Sequence, residues 1–109
     1  MREYGIKVKW KPMLWFVKGD FRRDRETWVD DLVQSTQEKD SHPWQQSVVE
    51  ARYYIDTLTR KGELVVDPFC GGGTTAVAAK QLGRQWWTAD RESVHVKTAM
   101  ERLDDAIIQ

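Results

Sequence analysis

The chain has 109 residues, 31% of them charged, and its 17 basic and 17 acidic side chains give a formal net charge of zero. That length supports one compact core, or part of a larger one, burying about two-thirds of the unfolded surface. Neutrality excludes a uniform basic field that would carry the whole chain onto nucleic acid.

Cys70 is the single cysteine, so no disulfide forms within the chain, and the two histidines, His42 and His95, lack zinc spacing. No metal site is expected. No run is apolar enough for a signal peptide or a bilayer span, so no membrane contact is expected. A soluble, cytoplasmic, reducing setting follows as the expectation.

In chain order, Ile6, Val8 and Trp10 alternate with Lys7, Lys9 and Lys11, the period of a half-buried strand. Pro12 breaks this run or places it at a sheet edge. Met13 to Val17 is continuously apolar and predicts a strand buried on both faces. Trp10, Trp15 and Trp28 are expected to pack in a core rather than stack on bases. The stretch holding Arg2, Lys18, Arg22, Arg23 and Arg25 is basic. It reads as a solvated face, with a phosphate-tracking edge as the alternative. Residues 19–27 and 34–40 read as loops, and Trp28, Val29, Leu32 and Val33 as a short strand or turn.

A helix is predicted from Pro43, which is tolerated in a first turn. Val48, Ala51, Ile55 and Leu58 fall on one of its faces. Arg60 and Lys61 would close it against the helix dipole, with Gly62 as its C-cap. Leu64-Val65-Val66 is the best strand in the chain. It runs into Asp67-Pro68-Phe69-Cys70-Gly71-Gly72-Gly73-Thr74, and a second helix follows from Thr74 to about Leu82, capped by Gly83. Gln85 to Ala89 predicts another strand, ending in Asp90. The last helix starts near Ser93 with Val96, Met100, Leu103 and Ile107 as its apolar stripe, which leaves His95 on an exposed flank. The order from Glu63 onward is therefore βαβα, an α/β unit with a right-handed crossover and a parallel strand pair.

Ligands of such sheets bind at the carboxyl ends of the strands, where Asp67 and Asp90 both fall. Gly71, Gly72 and Gly73 permit a tight turn and close backbone approach, and the helix N-terminus at Thr74 points free N–H groups to the same place. The run Gly71 to Ala76 also fits the dinucleotide pattern, with Asp90 downstream. Asp67 opposes that ligand, because a carboxylate repels a pyrophosphate. The same carboxylate attracts the sulfonium and ammonium of S-adenosylmethionine, while Asp90 suits ribose hydroxyls in either case. A Walker loop is excluded, since no Lys-Ser/Thr pair follows the glycines.

The Asp67-Pro68-Phe69-Cys70-Gly71-Gly72-Gly73-Thr74-Thr75 run resembles the cofactor motif of the β-class amino-methyltransferases of DNA. His42-Pro43-Trp44-Gln45-Gln46-Ser47 resembles the motif that precedes it in that class, and Gly83-Arg84 and Asp90 match the turn and the acidic ribose ligand. Ser47 stands where the family usually has proline, and Asp90 where glutamate is commoner. Lys11 to Val17 resembles a late strand after the catalytic half.

The resemblance implies a partial Rossmann-like methyltransferase fold, with residues 1–40 as a strand and loop segment and 41–109 as the S-adenosylmethionine-binding region. It implies cofactor contacts from His42, Pro43, Trp44, Asp67, Pro68, Phe69, Cys70, Gly71, Gly73, Thr74 and Asp90. Cys70 fills the variable place of the motif and reads as structural filler. Phe69 lines the pocket or packs within the loop.

No catalytic residue is assigned. The family's (Asp/Asn/Ser)-Pro-Pro-aromatic tetrapeptide is absent, since Pro12, Pro43 and Pro68 are the only prolines and none adjoins another. In the β-class order that motif comes first, so it is expected N-terminal to Met1, and the chain reads as a fragment, a split half or a truncated product. DNA is the implied partner of the complete enzyme, and a complementary chain carrying the catalytic half is the implied partner of this one. Without it, Leu64 to Val66 would form an unpaired sheet edge.

Overall fold

The computed structural model describes residues 12–19, 29–30 and 47–108. Among these, the elements run α1 (Val48–Leu58), β1 (Leu64–Asp67), α2 (Thr74–Gln81), β2 (Gln85–Thr88) and α3 (Ser93–Asp105). The two strands pair in parallel, with Leu64 opposite Gln85 and Asp67 opposite Thr88. The predicted βαβα order is therefore the architecture, and both predicted acids lie at the same end of the sheet.

The core sits between α1, α2 and β1. Ile55, Ala78 and Ala79 are buried, and Val48, Ala51, Val65 and Leu82 pack around them. Enclosing a side chain the size of Ile55 contributes about 2 kcal/mol. Ala76, Ala78 and Ala79 of α2 are fully buried. Their small side chains let the crossover helix lie close against the strands.

The opposite face of the sheet is bare of cover from the described residues. Leu64, Val66 and Trp87 are each more than half exposed, and Val66 and Trp87 face each other across the parallel register. Among the described residues, no strand pairs with the other edge of β1 or of β2.

Several elements depart from expectation. Helix α1 stops at Leu58, so Arg60 and Lys61 do not close it. Thr59 turns extended, and Arg84 takes both its carbonyl at 2.8 Å and its hydroxyl at 3.0 Å. That grip directs Thr59 out of the helix. Residues 60–63 form a separate turn closed by Glu63 N–H on the Arg60 carbonyl, with Gly62 at φ +83°. Gly62 serves that turn rather than the helix.

Met13 to Val17 is not a strand. These residues are between 47% and 85% exposed, Trp15 among them at 48%. A strand buried on both faces needs sheet neighbours and cover on each side. The described sheet pairs only β1 with β2, so Trp15 is not a core residue. Val29 is likewise outside any strand. The positions predicted for Ile6, Val8, Trp10, Trp28, Leu32 and Val33 lie outside the described residues, as does the helix start at Pro43. Ile107 falls beyond the end of α3.

Candidate functional site

The loop from Asp67 to Thr74 joins β1 to α2 and is tied by its backbone to the end of β2. Ala89 N–H donates to the Asp67 carbonyl at 3.1 Å, and Cys70 N–H donates to the Ala89 carbonyl at 2.9 Å. Gly73 N–H closes a turn on the Cys70 carbonyl at 2.8 Å. Gly71 N–H donates to Asp90 Oδ2 at 3.0 Å. The glycine loop and the second acid, both expected at the strand ends, are thus in direct contact.

Glycine is required at two places. Gly73 caps α2 at φ +82°, in the left-handed region. A Cβ there would lie 2.6 Å from Ala99 Cβ, so the loop rests on α3 with no room for a side chain. Gly71 has φ +48°, and a Cβ there would meet nothing within 4 Å. The described residues leave the space beside Gly71 open, as a loop that receives a ligand on its backbone requires.

Asp67 is half-buried at the end of β1. Its Oδ1 accepts Phe69 N–H at 3.0 Å. This bond folds Pro68 and Phe69 into a turn and fixes the carboxylate. Asp90 is more enclosed, with a side chain 14% exposed. Its Oδ1 accepts Glu92 N–H at 2.9 Å and lies 3.2 Å from His95 Nδ1. The Glu92 N–H holds the Asp90 carboxyl below the usual carboxylate range; burial opposes this, while the Gly71 N–H and His95 add to it. Each carboxylate oxygen accepts about two hydrogen bonds. Oδ2 spends one on Gly71, and among the described residues nothing else donates to it.

Cys70 is buried. Burial pushes its thiol pKa up, the charges of Asp90 and Asp67 push further, and a hydrogen bond with Thr88 partly offsets them. A thiol held protonated is a poor nucleophile, which suits the filler reading. Cys70 also lines a cleft of about 310 Å³ with Trp86, Trp87, Thr88, Val96, Ala99, Met100 and Leu103. Three of the four residues predicted as the apolar stripe of α3 face this cleft rather than a closed core.

Of the predicted site residues, Asp67, Pro68, Phe69, Cys70, Gly71, Gly73, Thr74 and Asp90 come together around one loop. Phe69 is 87% exposed, so it does not pack within the loop. His42, Pro43 and Trp44 lie outside the described residues. His95 is not on an exposed flank, because one turn into α3 its ring is brought back onto Asp90. Arg102 was also missed. Its Nη1 donates to the Gly72 carbonyl at 2.6 Å and to Thr74 Oγ1 at 3.2 Å. The signal for both was their spacing with Ala99 on one helical face.

The residues fit S-adenosylmethionine. An acid stands at the end of β1, the described residues leave open space beside Gly71 and put no side-chain cap on the N-terminus of α2, and a second acid stands at the end of β2. Among the described residues no group of three or more His, Cys, Asp or Glu could hold a metal ion. No helix among them is long and apolar enough to cross a membrane.

Comparison with known proteins bears on the same loop. Residues 2–101 match the family model for DNA methylases of the N6 and N4 type. The type II methyltransferase M2.DpnII of Streptococcus pneumoniae is 33% identical over 86 residues, covering 78% of this chain and 32% of its own length. M2.LlaDCHI of Lactococcus lactis subsp. cremoris is 31% identical over the same shares. The chain spans about a third of the length of these curated relatives. The crystal structure of the M1.HpyAVI–SAM complex superposes with a TM-score of 0.63 at 32% identity, covering 76% of this chain and 42% of that one. The cofactor loop, the two acids at the strand ends and these matches lead to one assignment: the chain belongs to the N6/N4 DNA methylase family.

Proposed function

We propose that this chain is the cofactor-binding part of an S-adenosylmethionine-dependent DNA methyltransferase acting on the exocyclic amine of adenine or cytosine. The observation that carries this is the Asp67 carboxylate, fixed at the end of β1 beside the glycine loop. A negative charge there attracts a sulfonium and an ammonium and repels a pyrophosphate. Asp67 binds the cationic part of the cofactor, Gly71 lets the backbone approach it, Gly73 lets the loop that holds it rest on α3, and Asp90 Oδ2 accepts from a ribose hydroxyl. Bound there, S-adenosylmethionine supplies an electrophilic methyl carbon. The chain's own contribution is orientation and the exclusion of water.

The base-holding step belongs to a Pro-Pro tetrapeptide that this sequence lacks. A complementary polypeptide carrying it would meet the sheet face that the described residues leave exposed and the edge of β1 that none of them pairs, and DNA is the substrate of that assembly. A second reading is a cofactor- or partner-binding remnant without transferase activity, and the missing tetrapeptide favours it. Adding a separately expressed N-terminal half and assaying methyl transfer to DNA separates the two.

Calorimetry with S-adenosylhomocysteine against NAD tests the ligand itself. Asp67→Asn keeps an oxygen for the Phe69 N–H, removes the charge and replaces the other oxygen with an amide donor. Loss of a charge-assisted contact of about 1.5–3 kcal/mol predicts roughly ten- to hundredfold weaker S-adenosylhomocysteine binding. Unchanged affinity, or preference for NAD, overturns the reading.

A further inference from the structure

We infer that Arg102 is a positioning residue that preorganises the glycine loop before cofactor arrives; this rests on the cofactor reading above. Helix α3 presents His95, Ala99 and Arg102 at spacings of four and three, so the three lie on one face. Ala99 is the floor. Its small side chain lets α3 approach Gly73 so closely that a Cβ on that glycine would overlap it at 2.6 Å. The approach brings the two polar neighbours into reach of opposite ends of the loop.

At one end Arg102 Nη1 takes the Gly72 carbonyl at 2.6 Å and Thr74 Oγ1 at 3.2 Å. At the other, His95 Nδ1 lies 3.2 Å from Asp90 Oδ1, while Asp90 Oδ2 holds the Gly71 N–H at 3.0 Å. The Gly72–Gly73 peptide is therefore held on both sides, its carbonyl by Arg102 and its N–H by the Cys70 carbonyl.

Three consecutive glycines are costly to order, since glycine loses more backbone freedom than any other residue. A loop ordered by the ligand draws that cost from binding, whereas a loop already held by the protein does not. A planar guanidinium suits this task, because the two N–H bonds of Nη1 diverge in a fixed plane and reach a carbonyl and a hydroxyl together.

The test uses the full chain, with Arg102→Met removing the donors and Arg102→Lys keeping the charge on a single donor nitrogen without the planar geometry. Amide hydrogen exchange without ligand reads the loop, and calorimetry with S-adenosylhomocysteine reads its consequence. The expected result for Arg102→Met is faster exchange at Gly71 and Gly73, with Ala78 and Ala79 unchanged. Affinity falls by about tenfold, mostly through a less favourable binding entropy, and Arg102→Lys recovers part of both effects. Unchanged loop exchange overturns the inference. So does exchange that rises equally in the core with no rescue by lysine, which would make Arg102 a general stabiliser. Loop exchange as expected in a wild-type chain that does not bind S-adenosylhomocysteine overturns the cofactor reading and leaves the brace standing.

Discussion

Gly73→Ala is the sharpest perturbation of the site. Two costs act at this position. The residue sits at φ +82°, and a side chain in the left-handed region costs about 1–2 kcal/mol. The new Cβ would also meet Ala99 Cβ at 2.6 Å and Ala99 Cα at 2.9 Å. Helix α3 or the loop must then move, and such overpacking costs about 1–3 kcal/mol. The sum is about 2–5 kcal/mol, a large share of the roughly 5–15 kcal/mol that holds a domain together. Gly83→Ala is the control. It has φ +73°, and a methyl group added there would meet nothing within 4 Å, so it carries only the backbone cost. Guanidinium unfolding followed by circular dichroism should therefore place Gly73→Ala below Gly83→Ala by about 1–3 kcal/mol. Adding Ala99→Gly should recover part of that difference, since Ala99 Cα remains in the way. Equal losses for the two glycines would refute the idea that α3 seats the loop.

Arg84 is buried and donates to the Leu82 carbonyl, the Thr59 carbonyl and the Thr59 hydroxyl, with the exposed Asp56 carboxylate 3.4 Å away. Arg84→Met should cost about 2–4 kcal/mol in the same unfolding assay, and Arg84→Lys should rescue little, because an ammonium cannot reproduce the fork. Asp90 contributes stability through a depressed carboxyl pKa. That contribution is complete above the ordinary carboxylate value and is lost as pH falls through the lower folded value. The stability gap between wild type and Asp90→Asn should thus shrink below about pH 4, and a gap independent of pH would contradict the assignment. Cys70, buried and with a raised pKa, should react with iodoacetamide near neutral pH at least about tenfold more slowly than in the denatured chain. Equal rates would show that it is not enclosed.

The βαβα order and the loop between Asp67 and Thr74 were legible in the residues themselves, because their signals are local. A short β-branched run, a glycine triplet, an alanine-rich helix and an acid after the next strand each act within a few residues of where they stand. The family motif is a compact statement of the same local physics, so it pointed to the loop and both acids. What the string of residues did not contain is which distant groups complete those elements. Helix α1 ends at Leu58 because Arg84, 25 residues on from Thr59, captures that threonine, and no capping signal at Arg60 or Gly62 competes with that. Arg102 reaches Gly72 across 30 residues, and Ala99 of α3 meets Gly73 across 26 positions of sequence. The apolar run from Met13 to Val17 suggested burial, yet burial depends on what lies opposite, and hydrophobicity alone cannot supply a neighbour. Periodicity and turn chemistry report the chain's own preferences over a few residues; long-range hydrogen bonds and close packing are set by how elements meet in space, and these decided the support of the site.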